Sequence, residues 1–220
     1  MRAKTTDPTT LLRDRCLSHF TTLRIPVQPA ALDELLTRAE KENLAYLSFL
    51  DRLLGAEAGA RRERAVARRI HDAHFPENKT LEGFDWNFNP KTFNRVQMEE
   101  LATGDFIRRR TNFVLVGWSG IGKSHMIQAI GQRACVHGYR VLYQTSAQLL
   151  ADLTASLADK TLPARLRRFA KPDLLIIDEF GLDKIERSEC PQAAHLLYKI
   201  IASRNQKRST ALVTNVDFEK

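Results

Sequence analysis

Directly after the apolar run Phe113 to Val116 the chain reads Gly117-Trp118-Ser119-Gly120-Ile121-Gly122-Lys123-Ser124, and a helical pattern follows at once. The spacing is Gly-x-x-x-x-Gly-Lys-Ser, a Walker A phosphate loop in its proper setting between a strand and a helix. Glycines let the backbone curl until successive amides point at phosphate oxygens, and the next helix adds the positive end of its dipole. Lys123 is then expected to reach the β and γ phosphates of ATP. Ser124 is expected to offer its hydroxyl to Mg2+. A glycine-rich turn with an incidental lysine is the plainer alternative, and a second motif weighs against it.

That motif is Leu174-Leu175-Ile176-Ile177-Asp178-Glu179, four apolar residues and then two carboxylates at the carboxyl end of a strand. It is a Walker B pattern, in which Asp178 holds the metal and Glu179 orients and deprotonates the water that attacks the γ phosphate. A strand that ends in a solvated acidic turn would look the same in isolation. The upstream phosphate loop decides between them. A further apolar run ends in Thr214-Asn215. In additional-strand P-loop ATPases the strand after Walker B inserts between the other two, so its polar tip faces the γ phosphate and makes Asn215 a candidate sensor. An Asn in that position more commonly just forms a turn; its place in the order of elements favours the sensor.

The short apolar runs at Phe113 to Val116, Val141 to Tyr143, Leu174 to Ile177 and Ala211 to Val213 lack alternation, as strands buried on both faces do. Helical stretches separate them, about Ser124 to His137, Ser146 to Ala158 and Pro191 to Arg204. Repeated strand-helix-strand units imply an α/β fold with a parallel sheet flanked by helices over residues 112 to 220. Ahead of it, residues 1 to 75 read as an all-helical module. Pro26 and Pro29 divide its first two helices, and Ser48 is expected to cap a long helix that runs to about His74. Residues 76 to 111 read as a linker that packs on the ATPase core through Phe84, Trp86, Phe88 and Phe93; these rings could flank adenine, though anchoring is the simpler role.

A net charge of +8 raises the prospect of a polyanionic partner. Arg61, Arg62, Arg64, Arg68 and Arg69 crowd one helix and are the candidate contacts to double-stranded DNA, with a solvated face as the alternative. Arg165, Arg167 and Arg168 form a second basic knot, and Arg108, Arg109 and Arg110 receive no role. Cys16, Cys135 and Cys190 are too far apart for a zinc site or a disulfide framework. The N-terminus carries no apolar signal core and no run is long enough to span a membrane, so a cytoplasmic location is expected.

With these pieces in order the chain resembles the IstB family of transposition helper ATPases, relatives of the DnaC helicase loaders within the AAA+ class. The resemblance covers about Leu11 to Lys220. Its marks are Ala65-Val66-Ala67-Arg68-Arg69-Ile70, Thr80-Leu81-Glu82-Gly83-Phe84-Asp85-Trp86, Gly122-Lys123-Ser124-His125, Leu175-Ile176-Ile177-Asp178-Glu179-Phe180-Gly181 and Thr214-Asn215-Val216-Asp217-Phe218. It implies a nucleotide site from Gly117 through His125, ATP-dependent homo-oligomers on DNA, and cooperation with a transposase encoded beside the gene. A helicase loader, an interaction module that holds ATP without turning it over, and a small-molecule kinase are the competing readings. The resemblance also places a neighbour-contacting arginine and a second sensor arginine beyond Lys220, roles that Arg204 and Arg208 do not match. It implies a fifth strand there too. On that reading the AAA+ domain is C-terminally truncated, Phe113 to Val116 form an exposed edge, and the chain binds ATP but hydrolyses it poorly.

Overall fold

In a computed structural model that describes residues 8–88, 90, 92–181 and 191–215, prolines separate the first two helices as expected. These are α1 (Pro8–Thr22) and α2 (Pro29–Glu42), the latter opening on Pro29, where the missing amide costs nothing. A third, α3 (Tyr46–Asp72), starts ahead of the Ser48 expected to cap it. The Phe49 amide already donates to the Ala45 carbonyl at 3.0 Å, so Ala45 takes the flanking position and Ser48 lies inside the first turn. The chain divides into two compact units, Met1–Ala65 and Val66–Lys220, and α3 runs through the division.

Residues 76–111 contain more than a linker. Asn94 caps α4 (Arg95–Ala102) by accepting from the Gln97 amide at 3.3 Å, and α5 (Asp105–Arg108) follows. Met98, Ala102, Phe106 and Ile107 are buried against the sheet layer. The sequence hid these helices because each is short and bounded by polar turns.

Four parallel strands form the sheet: β1 (Phe113–Val116), β2 (Val141–Thr145), β3 (Leu174–Phe180) and β4 (Ser209–Thr214), in the order β1-β4-β3-β2. The strand after Walker B thus lies between the other two, as the additional-strand class requires. Helices α6 (Lys123–Val136), α7 (Ser146–Ala158), α8 (Leu162–Ala170) and α9 (Pro191–Arg204) return the chain between strands. Strand β3 explains its own composition. Leu174 and Ile176 enter one core with Met126, Ile127 and Ile130, while Leu175 and Ile177 enter another with Leu149, Leu153, Phe169 and Ile200. Helix α8 was not foreseen: its arginines masked the spacing of Leu162, Leu166 and Phe169, which face the second core. Strand β1 pairs with β4 alone among the described residues, and Val114 and Val116 are half exposed.

One buried cation fastens this unit. Arg204 is 1% exposed and donates to the carbonyls of Phe169 and Pro172, both at 2.9 Å, and to Thr210 Oγ1 at 3.0 Å. It ties the end of α9 to the end of α8 and the start of β4. Burial lowers its pKa to about 10.

Candidate nucleotide site

The two motifs face one cleft at the carboxyl ends of the strands. It encloses about 360 Å3 and is lined by Ser119, Gly120, Gly122, Lys123, Ser124 and His125 on one side and by Asp178, Glu179, Val213 and Asn215 on the other. Gly117, Trp118 and Ile121, also placed at the nucleotide from sequence, do not line it. Trp118 is 86% exposed, and Ile121 packs so closely on Gly117 that a Cβ there would meet its Cδ1 at 2.6 Å.

Backbone geometry makes the loop. Gly120 and Gly122 have φ of 79° and 96°, the left-handed region where side chains are strained. At Gly122 a Cβ would also stand 2.9 Å from Phe84. Phe84 is held edge-on by Trp86 at 4.9 Å and by Phe93 at 5.7 Å, and His125 lies edge-on to it at 5.2 Å. His125 Nε2 also lies 2.9 Å from the Thr80 carbonyl, to which it donates. The aromatic stretch ahead of the sheet therefore braces the phosphate loop. Phe88 takes no part and is 68% exposed.

Lys123 is 6% exposed, and its Nζ donates to the carbonyls of Gly117 at 2.8 Å and Trp118 at 2.7 Å. Burial lowers its pKa, and the facing Asp178 charge opposes the shift. The loop and the acidic strand tip are thus electrostatically coupled.

Strand β3 presents its carboxylates through a bulge. Ile177 pairs with Leu212 and Phe180 with Thr214, so one extra residue sits in β3 at Asp178-Glu179. Bulges re-aim side chains, and Glu179 carries the cost in a left-handed φ of 58°, which for a non-glycine residue is of order 1 kcal/mol. Thr214 Oγ1 pins the bulge by donating to the Phe180 carbonyl at 2.6 Å. Asp178 is buried, and its two oxygens accept from Tyr143 Oη at 2.7 Å and from the Glu179 amide at 2.8 Å. Burial and that bond push the Tyr143 hydroxyl pKa far up, so Tyr143 stays a donor. Tyr143 was missed in the sequence reading. Its only signal was a polar tip at the end of an apolar run, one pleat before Thr145, the residue paired with Asp178.

This donor set fits Mg2+. One carboxylate and one hydroxyl, Asp178 and Ser124, face the same cleft, and among the described residues no three acidic, His or Cys side chains gather to form a protein-only cage. Mg2+ is suited to such sparse oxygen sites because it draws its other ligands from phosphates and water.

The proposed DNA contacts lie on α3, with Arg61, Arg62, Arg64 and Arg68 exposed and Arg69 half-buried. Arg64 pairs with Glu57 at 2.6 Å. No described helix is long and apolar enough to cross a membrane. Cys190, Val216, Asp217 and Phe218, named from the sequence, lie outside the described residues.

A family model described as IstB-like ATP binding protein matches residues 18–220. An insertion-sequence ATP-binding protein of Geobacillus stearothermophilus is 32% identical over 207 residues, 94% of this chain and 80% of that protein. Another, of Pseudomonas aeruginosa, is 34% identical over 187 residues, 85% of this chain and 69% of that one. Among solved structures, DnaI superposes with a TM-score of 0.53 at 20% identity, over 64% of this chain and 74% of that one. A DNA replication initiation factor gives 0.51 at 20% identity, over 65% of this chain and 43% of that chain, so less than half its length is matched. These structural likenesses concern the fold alone.

Proposed function

Because this chain belongs to the IstB-like ATP-binding protein family, we propose that it is a Mg2+-dependent ATPase that assembles as a homo-oligomer on duplex DNA and assists a transposase encoded beside it. The observation that carries the ATPase part is the convergence of Lys123, Ser124, Asp178 and Glu179 on one cleft. Relatives named for insertion sequences support the transposition part, and a net charge of +8 supports the DNA part. The setting is the cytoplasm.

Each side chain has a chemical task in this reading. The amides of the curled loop and the α6 N-terminus bind phosphate oxygens, and Lys123 leaves its two carbonyl partners to reach the terminal phosphates. Ser124 and Asp178 would hold Mg2+, which when bound neutralises charge on the β and γ phosphates. Tyr143 orients Asp178. Glu179, exposed at the bulge, orients a water and takes its proton, while Asn215 senses the γ phosphate from the tip of β4.

Glu179→Gln tests the reading against that of an interaction module that holds ATP passively. Turnover is expected to fall by about 100-fold or more with ATP affinity kept, since a positioned base contributes about that much. Equal turnover in the wild type and the variant would exclude Glu179 as the base. A helicase loader would share every residue of this cleft, and co-purification with a replicative helicase in place of a transposase would favour it.

A further inference from the structure

Of the arginines before β1, Arg108 and Arg109 pair with Asp105, while Arg110 stands at the leading end of a strand. All four strands run parallel, so their leading ends share one edge of the sheet, opposite the nucleotide cleft. A cation stands within three residues ahead of each strand: Arg110 before β1, Arg208 before β4, Lys171 before β3 and Arg140 before β2. In sheet order they make a row. Four strands at about 4.8 Å spacing give that row a length of about 14 Å.

One detail orders the row and a second concentrates positive charge at its β2 end. Asp173 accepts from Arg208 Nη1 at 2.5 Å and from Arg140 Nη2 at 3.3 Å, holding both guanidiniums at the edge. At the β2 end a cavity of about 340 Å3 is lined by Arg69, Arg140, Arg168 and Lys171, together with Asp72 and His74. Arg168 is paired with Asp152 at 3.1 Å, but no described carboxylate forms an ion pair with Arg69 or Lys171. Three segments distant in sequence thus bring cations to one cavity.

We propose that this leading edge binds the sugar-phosphate backbone of duplex DNA, with the cavity beside β2 seating phosphates. The proposal rests on the DNA part of the function above and adds where the backbone lies. A row of about 14 Å is long enough to face more than one successive phosphate of a DNA strand. Guanidinium groups suit phosphate oxygens through paired donors. ATP chemistry at the trailing ends of the strands and DNA at the leading ends then leaves both surfaces free at once.

The test uses the full chain and a random-sequence 30-base-pair duplex, with affinity measured by anisotropy over a range of salt. In the rim variant Arg69→Gln/Arg168→Gln/Lys171→Gln, affinity near 0.1 M salt is expected to fall at least tenfold and the log-log salt slope to shrink by about two to three. Binding of a fluorescent ATP analogue should be unchanged. A control with equal charge removed elsewhere, Arg38→Gln/Arg52→Gln/Arg95→Gln, should keep most of the DNA affinity. Equal losses in both variants would reduce the effect to net charge and overturn the rim. Wild-type DNA binding with an unchanged rim variant would overturn the rim but leave the DNA reading standing. A wild type that ignores duplex DNA would overturn both. The single variant Lys171→Gln, at an exposed position, guards against misfolding and should lower the slope by about one.

Discussion

The two compact units spend their apolar residues in opposite ways. In Val66–Lys220, Leu174 to Ile177 are all 0% exposed and two cores cover both faces of the sheet. In Met1–Ala65, Leu32 is the one buried apolar residue among those described, while Leu12, Leu23, Tyr46 and Leu47 stand between 58% and 91% exposed. Both contain leucine-rich helices. The difference shows that apolar content does not make a core unless a second layer covers it, which the parallel sheet provides and a short helical array does not.

Paired truncations give the sharpest way to break this comparison. Ile176→Ala should cost about 2–5 kcal/mol in chemical denaturation, and Leu47→Ala should stay within about 0.5 kcal/mol. Comparable losses from the two would contradict the asymmetry. Next in size is the ligand response. Mg-ATP should raise the melting temperature of the second unit alone, and Lys123→Ala should weaken ATP binding by about 100-fold or more and abolish that rise. Affinity retained within about tenfold would remove Lys123 from the phosphate site. The smallest effect is chemical. Burial pushes the Cys135 thiol pKa up to about 12, so at pH 8 it is protonated and enclosed, while Cys16 in α1 is partly exposed. In a Cys190→Ser background, iodoacetamide should label Cys16 and spare Cys135 until the second unit unfolds.

The sheet was legible because residues buried on both faces leave unbroken apolar runs, and the phosphate loop was legible because its glycines are required by backbone angles. The strand ends were less so: β2 extends to Thr145 and β3 to Phe180, past the apolar residues that marked them. Register was invisible. The bulge at Asp178-Glu179 depends on how β4 pairs with β3, and the Tyr143 bond to Asp178 depends on how β2 does. Basic residues misled once, by concealing α8, where arginines interrupt the spacing of Leu162, Leu166 and Phe169.

The lysine of the phosphate loop has a further consequence. Its ammonium is engaged with two carbonyls of its own loop, at 2.8 and 2.7 Å. An arriving anion must out-compete that internal tether before it gains the cation. Sulfate or orthophosphate, offering few contacts, would lose much of its attraction to that exchange. A triphosphate meets the loop amides as well, and only such multidentate guests recover what unlatching costs. On the function proposed above, the tether sets a selectivity threshold that favours long polyphosphates over small ions.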